Sequence, residues 1–189
     1  MAPGLKIFNP KMQSPFDILK GYELRSQAKQ TSMPEISHAH DTAWRGIGYR
    51  LGKHMLVSSF REVIEISRLP ALTPVPGTQR WLLGLANLNG ELLPVIGLRD
   101  FIEGNPSVHH EGQRVLIMSQ PQGDLLLVVD EILGHRVFEK EQAVLPGDEF
   151  DGPYSDFIEH AFYRDGQIWG VLPLTHLASH YRFQQVSAD

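Results

Sequence analysis

The chain has 189 residues, 42% hydrophobic and 21% charged, with no cysteine and a net charge of −5. Such a composition belongs to a globular protein of about one domain, and it excludes a disulfide framework, a thiolate metal site and a thiol nucleophile. An acidic balance without a long Lys/Arg run argues against nucleic-acid binding, which needs a basic footprint on the phosphates. No apolar signal core opens the chain, and runs such as Leu125 to Val129 are too short to span a bilayer, so a soluble, cytoplasmic chain without direct membrane insertion is expected.

In chain order, residues 1–43 read as a helix and linker. Ser14-Pro15-Phe16-Asp17 combines an N-cap serine, a proline at the first helical position and an acid three residues after the cap, which predicts a helix from Pro15 to about Gln30. The Ser-, Thr-, Pro- and His-rich stretch that follows reads as linker.

Residues 44–183 carry short Val-, Ile- and Leu-rich runs: Ile47–Leu51, Met55–Val57, Val63–Ile66, Leu92–Leu98, Val115–Met118, Leu125–Ile132, Arg136–Phe138, Ala161–Tyr163 and Ile168–Leu172. Gly52-Lys53, Asn89-Gly90, Gly123-Asp124 and Asp165-Gly166 separate them, and Asn-Gly and Asp-Gly supply the positive φ of tight hairpins. Nine or ten strands exceed one small open sheet, and two small closed barrels would remove the exposed edges. One short helix is expected around Thr78–Leu83. A terminal helix is expected from about Thr175, with Leu174, Leu177, Ala178 and Tyr181 on one face. Residues 184–189 read as a polar tail.

Catalytic and metal-binding patterns are sparse. His176 and His180 lie four apart on the expected terminal helix, but no HExxH surrounds them and no third ligand is placed. His38, His40, His109 and His110 read as loop decoration. Asp148-Glu149-Phe150-Asp151 lacks EF-hand spacing and reads as a solvated acidic loop. There is no GxSxG elbow and no GxxxxGK[ST] loop. No cofactor, metal or catalytic residue is assigned. The competing reading is a metal- or ligand-binding barrel, or an enzyme whose site is assembled from distant residues, which stoichiometric bound metal would favour.

The most informative block runs from Trp81 to Arg99: an apolar segment, Gly84, an Asn-Gly hairpin and a strand. It resembles the signature of the CheW family, roughly G-x-x-N-L-R-G-x-x-x-P-V-x-D-L. Arg50-Leu51-Gly52 with Val63-Ile64-Glu65-Ile66 resembles the family's opening hairpin and V-x-E-I strand. Leu72–Gly77, Leu126–Ile132 and Phe157–Leu177 resemble, in order, the segment before the signature, the V-G-I-x-V-D-x-V strand and the closing hairpin with its helix. Together they cover about residues 46–180. The Ser-Pro-Phe helix, linker and Trp44-Arg45-Gly46-Ile47-Gly48-Tyr49-Arg50 resemble the PilI subgroup of type IV pilus chemosensory systems.

The resemblance implies a mainly β fold of two packed, five-stranded barrels with short N-terminal, middle and C-terminal helices. It implies a non-enzymatic scaffold coupling the cytoplasmic tip of a methyl-accepting chemoreceptor to the regulatory domain of a CheA-type histidine kinase, recruited to membrane-associated arrays. CheA-type kinases end in a similar domain, but the chain opens at Met1 without phosphotransfer or ATP-binding regions, so a free-standing adaptor is expected. The candidate protein-binding residues are Val63, Ile64, Glu65 and Ile66 for receptor contact, with Gly84, Asn87, Asn89 and Gly90 shaping the hairpin region. Asn89, Gly97 and Leu126 depart from the family pattern, which has arginine, aspartate and glycine there. The family's arginine pairs with the glutamate that is Glu65 here, so Asn89→Arg is expected to restore the pair with little change in stability.

Overall fold

The computed structural model describes residues 43–186 apart from Glu111 and Gln122. The helix expected from Pro15 and its linker as far as residue 42 lie outside the described residues. The chain enters one sheet with β1 (Trp44–Leu51) and β2 (His54–Ser59). It then leaves to build a second sheet from β3 (Val63–Arg68), β4 (Leu72–Thr73), β5 (Leu82–Leu88), β6 (Glu91–Gly97), β7 (Arg114–Met118) and β8 (Leu125–Val129), with helix α1 (Leu98–Glu103) after β6. It returns to the first sheet with β9 (Glu131–Phe138), β10 (Ala143–Val144), β11 (His160–Arg164) and β12 (Gln167–Val171), and ends in α2 (Leu174–Ser179) and α3 (Tyr181–Gln184).

The strand orders are β10-β11-β12-β2-β1-β9 and β3-β7-β8-β6-β5-β4. The β2–β12 and β6–β8 pairs are parallel and all others antiparallel. The expected mainly β class is correct, with six strands in each sheet rather than five. The two-residue strands β4 and β10 carry too little sequence to be seen as runs.

Side-chain alternation explains why each sheet curls. In β8, Leu125, Leu127 and Val129 join the large core shared by both sheets, while Leu126 and Val128 join a cluster of second-sheet residues and Leu69 from the β3–β4 connection. β7 divides the same way, Leu116 and Met118 against Val115 and Ile117. Strands alternate faces with a period of two, so a strand apolar on both faces needs two cores. A sheet whose inner face packs only on itself must curl. In the first sheet this is direct: Phe138 of the edge strand β9 stacks on Phe162 of β11, centroids 4.6 Å apart and planes 6° apart, with Trp44 against both. Leu126, where the family has glycine, is fully buried in the second sheet's own core.

Three expectations need correction. Thr78–Leu83 is not helical; Leu82 opens β5, and the middle helix is α1, whose Leu98, Phe101 and Ile102 are buried. The Leu125–Ile132 run is two strands, because Asp130 turns the chain from one sheet to the other. Its backbone N–H donates to the Arg50 carbonyl at 3.1 Å, and its carboxylate accepts from the Gly52 N–H at 2.6 Å. The terminal helix breaks at His180, whose ψ of 135° is extended. Leu174 and Leu177 are buried as expected, but Tyr181 lies beyond the break and is exposed, and Phe183 packs on the core instead.

Candidate protein-interaction site

Strand β3 begins with an irregularity. Val63 pairs with Met118 and Glu65 with Ile117, which leaves Ile64 as an extra residue in the ladder. A bulge of this kind breaks the in–out alternation. Val63 therefore points into the shared core, while Ile64 and Glu65 both face outward and Ile66 is half-buried. Ile64 is 58% exposed, and Phe60, in the turn before the strand, is 37% exposed. They border a groove of about 370 Å³ where the two sheets meet, completed by Ile47 of β1 and His135 of β9. The His135 ring stands edge-on to Phe60 at 4.8 Å. Ile66 also lines an adjoining concavity that includes Arg114, Asp130 and Glu131.

The groove thus gathers all four residues expected for partner contact. Sequence reasoning missed Ile47, Phe60 and His135. Phe60 left a signal, an aromatic residue within the polar run Ser58-Ser59-Phe60-Arg61-Glu62, where an apolar side chain has no reason to stand unless something covers it.

The other four expected residues lie away from this groove's lining and set backbone shape. Asn89 and Gly90 have φ of 53° and 92°, as a two-residue hairpin turn requires, and the Asn87 side chain accepts from the Gly90 N–H at 3.0 Å. Gly84, at φ 144°, sits where β5 and β6 shift register and where a Cβ would collide with the Thr73 carbonyl. Leu92, paired across the hairpin from Asn87, is 60% exposed and was not anticipated. Asn89 therefore has a structural task. Arginine tolerates the left-handed region less well than asparagine, so Asn89→Arg is expected to cost about 1 kcal/mol in a urea titration instead of being neutral.

His109 is a further correction, since within its loop it is tied to a buried carboxylate and is not mere decoration. Its Nε2 lies 2.7 Å from an oxygen of Asp100, which is 3% exposed on α1, and the same carboxylate accepts from the Ser107 N–H at 2.8 Å and from the Ser107 hydroxyl. Gly97 belongs to this arrangement: a Cβ there would lie 2.7 Å from the Asp100 carboxylate and 3.2 Å from His109 Nε2. The aspartate of the family pattern would thus compete with Asp100 for its space.

Ser107, His109 and Asp100 do not form a hydrolytic relay. Serine and aspartate both approach Nε2, whereas a relay needs them on opposite ring nitrogens. The Asp100 hydrogen bond holds the His109 pKa above its ordinary value of 6.5, with partial burial opposing it. A raised histidine pKa contributes stability that is full below the unfolded-state value and lost as pH rises through the folded-state value. Melting temperature is thus expected to fall between pH 6 and pH 8.5 by more in the parent than in His109→Gln; equal slopes would remove His109 as the source.

Among the described residues no group of three or more His, Asp or Glu side chains is placed to hold a metal ion. His176 is exposed on α2, while His180 packs against Phe157 and Tyr181 beyond the helix break, so the i, i+4 geometry is lost. Asp148–Phe150 forms a 3-10 turn whose Phe150 is buried. His38 and His40 lie outside the described residues. No helix among the described residues is long and apolar enough to cross a membrane.

Two six-stranded sheets that share one core and each keep a smaller one of their own, with an apolar groove at their junction, define a mainly β fold with a surface suited to a protein partner. Residues 45–182 match the CheW-like domain, and the chain belongs to the CheW-like family, the adaptors of chemotaxis-type signal transduction. It is 30% identical over 176 residues to Protein PilI of Pseudomonas aeruginosa, an alignment that covers 93% of this chain and 98% of that protein. The fold is similar to that of the scaffolding protein TtCheW from Thermoanaerobacter tengcongensis, with a TM-score of 0.63 at 18% identity, over 74% of this chain and 94% of that one.

Proposed function

We propose that this chain is a non-enzymatic adaptor that couples a methyl-accepting chemoreceptor to a CheA-type histidine kinase, in an array controlling type IV pilus twitching motility. The receptor's cytoplasmic tip lies in the groove around Val63–Ile66, and the kinase's regulatory domain is held on the outer surfaces of the barrels. The observation that carries this reading is the pair of large apolar side chains, Ile64 and Phe60, exposed beside a preformed groove. Apolar surface of that kind, clustered in a concavity, marks a place where another protein excludes water. The family and the likeness to Protein PilI support the signalling context.

As a scaffold the chain changes kinase activity only through contacts that differ between receptor states. The test is binding of the purified chain to a receptor cytoplasmic fragment and, separately, to the kinase's regulatory domain, both from the same cell. Ile64→Asp places a charge in the groove without disturbing the core, so it is expected to weaken receptor binding by roughly 30-fold or more, as loss of a central interface anchor does. Kinase binding should stay near the parent value. Unchanged receptor affinity would move the receptor site elsewhere.

A further inference from the structure

We infer that Glu65 is the specificity-determining charge of the groove and that the docked segment carries a basic side chain, arginine or lysine, beside its apolar face. The inference rests on the reading of the groove as the receptor site and adds the chemistry of the residue that fills it. Its ground is a difference among the carboxylates of this region. Asp130 accepts from the Gly52 N–H, and Glu131 pairs with Arg50 at 3.0 Å. Just before the strand, Glu62 accepts from the Thr175 N–H at 3.0 Å and its hydroxyl at 2.9 Å. Glu65, exposed in the groove lining, has no hydrogen-bond or ion-pair partner among the described residues.

A carboxylate that loses water when a partner covers the groove needs a replacement donor, or the complex bears the desolvation cost of an unpaired charge. Ile64 stands next to Glu65 and presents apolar surface, with Phe60 in the same lining. A side chain with a long aliphatic stem and a cationic end satisfies both, its stem on Ile64 and Phe60 and its charge on Glu65. An acidic or uncharged residue at that place would leave Glu65 unpaired, which is how such a charge rejects wrong partners.

The test uses the full-length chain and the receptor cytoplasmic fragment of the same cell, with affinities measured at low and high salt. Glu65→Gln, which removes no intramolecular contact, should melt like the parent. It should bind the fragment roughly tenfold more weakly and with a flatter salt dependence. Glu65→Arg should bind more weakly still, and reversing the charge of one basic residue at the receptor tip should restore its binding. If Glu65→Gln binds like the parent at both salts while Ile64→Asp does not bind, the groove reading stands and this inference is overturned. Failure of every charge reversal to rescue Glu65→Arg would also overturn it. If Ile64→Asp binds like the parent, the groove reading itself falls and the inference with it.

Discussion

Gly84→Ala is expected to lower the unfolding free energy by about 3–5 kcal/mol, the sum of a backbone conformation open essentially to glycine and an overlap that the surroundings cannot relieve. The φ of 144° lies outside the range of L side chains, and the new methyl would collide with the Thr73 carbonyl oxygen and approach its carbon to 2.9 Å and the Pro74 Cα to 3.2 Å. These are backbone atoms of the β4 region, so no rotamer change makes room. Gly90→Ala is the control. It also has positive φ, but nothing lies within 4 Å of its Cβ, and its cost should be near the conformational one alone, about 1 kcal/mol. Urea midpoints of the two variants measure the difference. Equal losses would mean that the close approach of the β4 backbone to Gly84 is not what fixes that glycine.

Phe138→Ala is expected to cost about 3–5 kcal/mol, as for other fully buried phenylalanines. The residue is fully buried, and its ring lies flat on Phe162 and near Trp44 and Trp169. It sits on the edge strand β9, at the opposite end of the sheet order from β11, so its ring bridges the two ends of the curled sheet. Amide exchange in β10 and β11 should therefore rise more than in the second sheet. Phe60→Ala, at a partly exposed groove position, should stay within about 0.5 kcal/mol of the parent. Similar losses in the two variants, or uniform loosening across both sheets, would contradict closure through Phe138.

What could be read before the structure was whatever short-range chemistry decides. The Asn89-Gly90 and Asp165-Gly166 turns were legible because few other dipeptides accept positive φ at both corners. Apolar runs such as Val115–Met118 located strands but not the core each residue enters, since both faces are buried. Asp130 hid the break between β8 and β9 because its partners, Arg50 and Gly52, are about eighty residues away in sequence. The exposure of Ile64 follows from a bulge defined against β7, which alternation along β3 cannot show. The same holds for His109, which looked like loop decoration until α1 brought Asp100 to it. The helix break at His180 carries no glycine or proline to announce it.

Under the proposed function the receptor occupies the groove between the sheets and the kinase uses a different surface. Hydrogen-exchange mass spectrometry on the chain alone, with saturating receptor cytoplasmic fragment, with the kinase regulatory domain, and with both, tests this most directly. The receptor fragment should slow exchange in residues 58–67 and 132–136. The kinase domain should slow it elsewhere, and both protections should appear together in the ternary mixture. Receptor protection that spares residues 58–67, or a kinase domain that displaces the receptor fragment, would contradict it.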